Sequence, residues 1–287
     1  MLKLFRQAFK VTNDGIVLAI PLTLFWWLIT LYINYSKTVV DTLPEVALSV
    51  VTMIFMTGAF LSGWFYMVKK CVEFSKKEFI LDKDRKHEAF NLIKAMPAGV
   101  GKFFLHYVTV SMLFVAIALL IVYIVKILSY DSVQSIYTSL LNYGITPNSA
   151  TEVNYSLNEV PQETLIKIFW EILIPSLKLT AIVFAIPAIF SFLLLLWMPE
   201  IIYTGRNPFA AIFTSIKKLF LNFGKSFKLY IYITIIQMFI SFIGPFSLLN
   251  VFIYMLAMFT YFYFLVYVVI LVFMYYDTIS DKQNPEE

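Results

Sequence analysis

Six long apolar stretches run through this 287-residue chain, and they constrain its fold more than any other feature of the sequence. A helix needs ~20 apolar residues to cross the ~30 Å hydrocarbon core of a bilayer. Because an unpaired backbone group is costly in lipid, each stretch is expected to cross as a helix. The predicted spans are residues 16–35, 46–68, 103–128, 172–198, 229–249 and 251–275.

The amino-acid composition points to the same class of protein. Apolar residues make up 60% of the chain and charged residues 14%, against about 25% charged residues in an ordinary soluble domain. A soluble protein of this size cannot bury so much apolar surface. The single cysteine, Cys71, excludes a disulfide-stapled secreted domain. The sequence therefore predicts an all-α, polytopic membrane helical bundle and excludes soluble globular enzymes and disordered chains.

The distribution of lysine and arginine predicts how the chain is threaded. The N-terminal segment, the second and fourth loops and the C-terminal tail carry 18 of the 22 basic residues, and the other loops carry 3. An excess of Lys and Arg remains on the cytoplasmic side of a membrane. We therefore expect six transmembrane helices in a cell membrane, inner or plasma, with both the N- and the C-terminus in the cytoplasm.

The predicted spans leave one sizeable external loop, residues 129–171. Within it, residues 131–141 have the pattern of a short surface helix, and Pro147 and Pro161 would interrupt anything longer. Residues 1–287 are expected to form a single membrane domain. Residues 278–287 are expected to be a disordered tail.

A unit made of a basic amphipathic helix, a glycine turn, a span, an external loop and a second span occurs three times. The units cover residues 2–70, 87–199 and 208–276. The glycines that follow the entry helices are Gly15, Gly99 with Gly101, and Gly224. Either the chain forms three helical hairpins around a shared core, or the units only reflect a layout that many membrane proteins have.

The three entry helices are expected to be short amphipathic helices on the cytoplasmic face. The first has Leu2, Phe5, Phe9 and Thr12 on one face, and the second, residues 87–96, is expected to end at Pro97. The third has the clearest apolar stripe, which consists of Phe209, Ile212, Phe213, Ile216, Phe220 and Phe223. Helices of this kind place the aromatic face in the acyl boundary and the lysines toward anionic headgroups.

The cytoplasmic basic residues are candidate contacts for lipid or for a protein partner. The run 69–86, dense in charges of both signs, is the preferred docking or lipid-binding stretch. The candidate lipid- or partner-facing residues are Lys69, Lys70, Lys76, Lys77, Lys217 and Lys218. We expect no nucleic-acid partner, because threading disperses the basic residues along the membrane face.

The second span carries two overlapping pairs of small residues, Gly58 with Ser62 and Ala59 with Gly63. Pairs of small residues four positions apart let the backbones of two membrane helices approach closely. They therefore predict close packing of the second span against another helix.

Lys178 lies inside the fourth predicted span, about two turns from its outer end, and Glu171 falls on nearly the same helix face. Either Lys178 extends outward along its own stem, or it contacts a substrate anion or a lipid headgroup inside the bundle. Pro175 and Pro187 are expected to kink the same span. A kinked span beside a lysine suits a substrate cleft, although proline is also common in ordinary membrane helices.

Residue patterns typical of catalysis or metal binding do not occur in the sequence. All 18 acidic residues lie in loops, tails or span ends, and the chain has two histidines, His87 and His106. The HExxH, CxxC and phosphate-binding glycine motifs do not occur. We therefore expect no catalytic residue, no metal and no cofactor. The lack of a mid-membrane carboxylate also argues against a proton- or sodium-coupled carrier.

The layout resembles a group of bacterial six-span membrane proteins. The residues that carry the resemblance are the amphipathic entry helices, Ala89-Phe90 with Ile93-Lys94, and the segments Pro208-Phe209 and Asn222 to Lys225. The group includes YciC-like and YesL-like inner-membrane proteins and the membrane domain attached to some glycerophosphodiester phosphodiesterases. The resemblance implies a six-helix membrane bundle and supplies no catalytic residue.

Two functions are consistent with these patterns. The first is a non-enzymatic integral membrane protein that serves an envelope or lipid-related process through lipid or partner contacts. The alternative is a transporter or permease subunit for a small anionic or amphipathic solute, with Lys178 and the kinked fourth span along its path.

Overall fold

The computed structural model describes residues 1–76, 82–142, 162–243 and 250–280. Within these ranges the fold is all-α and contains no strand, which confirms the predicted fold class. The helices are α1 (Leu2–Asp14), α2 (Ala19–Val39), α3 (Leu43–Ser75), α4 (Asp82–Asn142), α5 (Gln162–Leu193), α6 (Trp197–Thr204), α7 (Pro208–Leu221), α8 (Phe223–Ile243) and α9 (Val251–Ser280). A short 3₁₀ turn, Ile16–Leu18, joins α1 to α2.

Five helical segments of the described chain are long and apolar enough to cross a membrane. They are Ile16–Val39, Leu43–Ser75, Asn91–Asn142, Phe169–Thr204 and Phe252–Ser280. The pair formed by α7 and α8 passes the same test together, with a bend of 102° between the two helices. Counting that pair as one span gives up to six spans, so the fold is compatible with an integral membrane protein.

The chain divides into two compact units, one of residues 1–113 and 192–287 and one of residues 114–191. The second unit contains the end of α4 and most of α5, whose apolar side chains are largely exposed. Leu119 is 66% exposed and Phe184 is 72% exposed. A single membrane domain made of three repeats stays a prediction.

In the first unit, α9 is the central helix. It contacts α1, α2, α3, α6 and α8, and its second half, from Phe262 to Ile279, contributes a large part of the core. Aromatic rings fill this core: Phe65 of α3 stacks on Phe273 of α9, with ring centroids 5.7 Å apart. The first half of α9 is mainly exposed; Phe252, for example, is 86% exposed.

Close packing of α3 against α4, predicted from the small residues of the second span, is confirmed. A Cβ added to Gly58 would lie 3.0 Å from the backbone nitrogen of Val108. A Cβ added to Gly99 would lie 2.9 Å from the carbonyl oxygen of Ser62 and 3.0 Å from the Cα of Gly63. Gly99 therefore lies at a helix–helix contact inside α4, and the turn expected there is wrong.

α4 is longer than the sequence predicts. It runs from Asp82 to Asn142 with Pro97 inside it, so Pro97 does not end a short entry helix. An interior proline costs a helix ~3 kcal/mol, and the close contact with α3 beside Pro97 offsets that cost. Residues 131–141 form the end of the same helix, and α5 begins at Gln162, so helices extend into both ends of the predicted loop 129–171.

α1 agrees with the predicted first entry helix in its bounds, but much of its apolar face packs on the protein. Thr12 is fully buried, and Phe5 stacks on Tyr232 of α8, with ring centroids 3.9 Å apart. This corrects the expectation that the whole face lies in the acyl boundary, because Tyr232 covers Phe5. Leu2 remains 81% exposed.

The third entry helix is confirmed as α7, but the break before the following span lies at Asn222, not at Gly224. Asn222 caps α7 through its backbone N–H, which donates to the carbonyl of Lys218 at 3.2 Å, and Gly224 lies within α8. The sequence also predicts a tight turn between the last two spans, at Gly244 and Pro245 or as late as Asn250; residues 244–249 lie outside the described residues. α9 continues to Ser280, so only residues 281–287 of the predicted tail lie beyond the described chain.

Candidate functional site

A buried carboxylate lies where α6, α7 and α9 meet. α6 begins at Trp197, whose indole Nε1 donates to the carbonyl of Pro208 at 2.9 Å. It ends at Thr204 and is capped by Gly205, whose φ of +65° is a left-handed conformation that glycine adopts readily. Between these two residues, Glu200 is fully buried. This short helix therefore turns a glutamate into the core directly after a long apolar segment.

Three side chains surround the carboxylate of Glu200. The Nζ of Lys218 lies 2.7 Å from Oε2, and the hydroxyl of Tyr276 donates to the same oxygen at 2.7 Å. The Nη1 of Arg206 lies 3.6 Å from Oε1, which is too far for a hydrogen bond. Among the described residues Oε1 has no hydrogen-bond partner. Oε2 is thus bound by both Lys218 and Tyr276, whereas Oε1 has only the charge of Arg206 nearby.

Lys218 and Tyr276 also contact each other. The Nζ of Lys218 donates to the hydroxyl of Tyr276 at 2.6 Å and lies 4.5 Å from the centroid of its ring. The tyrosine hydroxyl therefore accepts one hydrogen bond and donates another. Glu200, Lys218 and Tyr276 thus contact one another, and we call these three residues the polar triangle. They lie on α6, α7 and α9, so the polar triangle connects three helices.

The chemistry of the polar triangle favours anchoring over catalysis. Burying a charge costs several kcal/mol unless a partner of opposite sign and further hydrogen bonds compensate it, and Glu200 has both. A carboxylate already engaged by an ammonium group is poorly placed to take a proton from a substrate. Nowhere in the described ranges do three or more His, Cys, Asp or Glu side chains form a group that could hold a metal.

Three of the lysines predicted to face lipid or a partner lie on α3 or at its end, and each contacts the protein. The partners are the carbonyl of Ile202 for Lys69 (3.4 Å), the carboxylate of Glu73 for Lys70 (2.6 Å) and the carboxylate of Asp277 for Lys76 (2.5 Å). The contacts of Lys69 and Lys76 fix α3 to α6 and α9. Lys77 lies outside the described residues.

The surface of α7 has a buried and an exposed face. The buried face, against the protein, contains Pro208, Ala211, Ser215 and Leu219. The exposed face carries three aromatic rings, with Phe209 53%, Phe213 75% and Phe220 55% exposed. Lys217, four residues after Phe213, is exposed beside these rings, whereas the neighbouring Lys218 points to Glu200 and its side chain is only 17% exposed.

Lys178 and Glu171 lie on α5, in the unit of residues 114–191. Lys178 is exposed, and Glu171 is half-buried. Pro175 and Pro187 lie inside α5, and the helix continues through both. A substrate contact at Lys178 and Glu171 stays a prediction.

Glu200, Arg206 and Tyr276 did not emerge from the sequence as site residues. The predicted fourth span ends at residue 198, so the sequence places Glu200 just beyond it, among the acidic residues of loops, tails and span ends. One sequence signal could have singled it out, because Glu200 is flanked by apolar residues on both sides, in Trp197-Met198-Pro199-Glu200-Ile201-Ile202. Its partners lie 18 and 76 residues further along the chain, and nothing in the sequence connects them.

The comparisons with known proteins give no relative. No protein-family model matches the sequence, and no curated protein and no solved structure matches it. The resemblance to six-span bacterial membrane proteins therefore stays a prediction.

Proposed function

We propose that this chain is a non-catalytic membrane module that binds the anionic surface of the cytoplasmic leaflet through α7. The observation that carries the proposal is the exposed aromatic face of α7, beside an exposed lysine, on a helix bent by 102° from α8. An envelope or lipid-related role follows from the chemistry of such a surface.

The bend supports an interfacial position for α7. If α8 crosses the membrane, a helix at 102° to it lies close to the membrane plane. Amphipathic helices in that position bury their apolar face ~5–10 Å into the headgroup and acyl boundary. The rings of Phe209, Phe213 and Phe220 are then the apolar face.

The charges beside the aromatic face support a preference for anionic lipid. Lys217 on α7 and Lys225 and Lys228 on the first turns of α8 are exposed. A lysine near an acidic leaflet contributes about 1 kcal/mol. Acidic side chains are absent from residues 207–228, so the surface carries charge of one sign.

The polar triangle supports a fixed position for α7. Lys218 joins the helix to the buried Glu200 of α6 and to Tyr276 of α9. These contacts hold α7 against α6 and α9 and so fix the direction in which its aromatic face is exposed. The partner hypothesis for residues 69–86 remains compatible with this function and stays a prediction.

The test measures the depth of α7 in nanodiscs that contain phosphatidylglycerol. Single cysteines at Phe213 and Thr278, in a Cys71→Ser background, carry a spin label. We expect the label at position 213 to be reached mainly by oxygen and the label at position 278, which is exposed near the end of α9, mainly by a water-soluble nickel reagent. Equal exposure of both labels to the nickel reagent would show that α7 is outside the membrane and would overturn the proposal.

A second measurement tests the preference for anionic lipid. Lys217→Gln is expected to lower the ratio of anionic to zwitterionic lipid that co-purifies with the protein by up to about fivefold, since one charge contributes about 1 kcal/mol. Lys37→Gln is the control. Lys37 lies in the last turn of α2, on the predicted external side of the membrane, and its replacement is expected to leave the lipid ratio unchanged. An unchanged ratio for Lys217→Gln would contradict electrostatic recognition by α7.

The transport hypothesis rests on Lys178 and the prolines of α5. Lys178 is exposed in the structure, a position that also suits a side chain extending outward along its own stem. Transport of an anionic or amphipathic solute stays a prediction.

A further inference from the structure

An apolar groove of about 790 Å³ runs between α2 and α9. The walls include Ala19, Ile20 and Thr23 on one side and Phe259, Thr260 and Tyr263 on the other. Both walls belong to segments that are long and apolar enough to cross a membrane. The volume is within the ~300–1,000 Å³ range of small-molecule sites.

The polar atoms in the walls of this groove are already engaged. The hydroxyl of Thr23 donates to the carbonyl of Ala19 at 2.9 Å, and the hydroxyl of Thr260 donates to the carbonyl of Leu256 at 2.8 Å. Both threonine hydroxyls therefore already donate within their own helices. The surface suits a hydrocarbon chain.

The groove ends at a polar junction with α1. The hydroxyl of Tyr263 donates to Oδ1 of Asn13 at 2.6 Å, and the ring of Phe9 lies edge-on to the ring of Tyr263 at 6.1 Å. This contact places the end of α1 directly beside the groove. The groove thus passes from hydrocarbon-like walls to polar groups at one end.

A basic face of α1 leads up to that junction. Lys3, Arg6 and Lys10 precede Asn13 at spacings of three and four residues, so all four lie on one side of the helix, and all four are exposed. Asp14 is the one acidic residue of α1. The basic face therefore carries a net positive charge next to the polar end of the groove.

We infer that the groove binds one acyl chain of an anionic phospholipid, with the phosphate beside Lys10 and Arg6. An apolar groove, a polar junction and a basic face in this order match the chain, the glycerol backbone and the phosphate of such a lipid. The inference rests on the proposed binding of an anionic leaflet but uses α1, α2 and α9, none of which is the helix tested there.

The experiment is native mass spectrometry of the full chain after delipidation in detergent, titrated with dipalmitoyl phosphatidylglycerol or dipalmitoyl phosphatidylcholine. We expect one phosphatidylglycerol to bind with higher affinity than further lipids. Thr23→Trp, which fills the groove, is expected to weaken that binding at least tenfold. Thr30→Trp is the matched control, because Thr30 lies on the same helix, is exposed and donates to the carbonyl four residues earlier at 2.8 Å.

The charged end is tested separately. The double variant Arg6→Gln with Lys10→Gln is expected to keep a bound lipid but to lose its preference for phosphatidylglycerol by about fivefold per charge. If Thr23→Trp and Thr30→Trp bind phosphatidylglycerol equally well, the groove is not the site. If only the Arg6→Gln, Lys10→Gln variant loses affinity for phosphatidylglycerol, the site is on α1 alone. Either of these two results would show that the inference is wrong.

A photoreactive phospholipid makes the test independent of the folding of any variant. With a diazirine near the end of the acyl chain, the wild-type protein should be labelled in residues 16–24 and 259–263. Labelling spread evenly over α3, α5 and α8 would overturn the inference. If the groove is not labelled but the spin label on α7 lies in the membrane, the lipid site is refuted and the proposed function stands. If the groove is labelled but α7 lies outside the membrane, only the proposed function is refuted.

Discussion

Glu200 and Lys218 form an ion pair, with 2.7 Å between Nζ and Oε2, in which the carboxylate is fully buried. The lysine belongs to the same helix whose aromatic side chains are exposed. Adjacent lysines on α7 therefore have different roles, since Lys217 faces outward and Lys218 holds the helix to the core. Through Tyr276 the pair also reaches α9, the central helix of its unit.

Removing the partner of the buried carboxylate should destabilise the protein. We expect Lys218→Met to lower the free energy of unfolding by about 3 kcal/mol, because it removes the cation closest to the buried carboxylate and leaves only Arg206, at 3.6 Å, as a positive charge beside it. Denaturation in mixed detergent, followed by circular dichroism, measures the change. Lys217→Met is the control, since that side chain is exposed, and its effect should be within about 0.5 kcal/mol.

The double variant Glu200→Gln with Lys218→Met separates charge from packing. Removing both charges takes away the desolvation cost as well as the attraction, so it should recover part of the stability lost in Lys218→Met. If the double variant loses as much free energy of unfolding as Glu200→Gln and Lys218→Met lose together, Glu200 and Lys218 are not coupled.

The α3–α4 contact predicts different outcomes for two glycines of the same helix. Gly99→Ala should destabilise the protein by about 1–3 kcal/mol, because the new methyl group meets the backbone of Ser62 and Gly63. Gly101→Ala should be neutral or stabilising by up to about 1 kcal/mol, since nothing lies within 4 Å of the added Cβ. The midpoint of thermal unfolding in detergent compares the two. Equal effects would show that helix propensity, and not packing, governs position 99.

The threading of the chain predicts which side of the membrane each segment reaches. In a Cys71→Ser background, a cysteine at Thr38 should react with a membrane-impermeant maleimide added to intact cells. Cysteines at Leu2 and Thr278 should react only after the cells are opened. Labelling of position 2 in intact cells would place the N-terminus outside and reverse the predicted orientation.

The accessibility of α5 separates the proposed module from a transporter. Cysteines at Lys178, Ala181 and Ala185 share one side of the helix by their spacing. We expect positions 181 and 185 to be protected from water-soluble maleimide, as lipid-facing positions are, with Thr38 as the reactive control. Rapid labelling of both would reveal a water-filled path and favour transport. If such a path exists, Lys178→Met should abolish uptake of the anionic or amphipathic solute without changing the amount of protein in the membrane.

Much of the helical fold can be predicted from the sequence because its causes are local. Apolar length sets the spans, and the spacing of Phe209, Phe213 and Phe220 sets the exposed face of α7. The small residues Gly58 and Gly63 also carry a local signal, since helices that approach closely need them. Each of these features is encoded within a few turns of helix.

Pro97 and Gly99 show where local rules are insufficient. Proline weakens a helix and two nearby glycines favour a turn, so these residues alone predict a break near residue 97. In the folded chain α3 packs directly against this segment, and Gly99 makes the contact with Ser62 and Gly63. Tertiary packing therefore keeps the helix continuous, and a turn signal becomes a packing signal.

The sequence alone determined that this is an all-α chain with helices long and apolar enough to cross a membrane and with a basic, aromatic α7, since hydropathy and periodicity are properties of neighbouring residues. Only the tertiary structure decided that Glu200 is buried, that Lys218 and Tyr276 compensate its charge, and that Tyr263 meets Asn13 at the end of a groove. The physical reason is that these contacts join residues up to 250 positions apart. Their energies depend on burial and distance, which arise only when the helices pack.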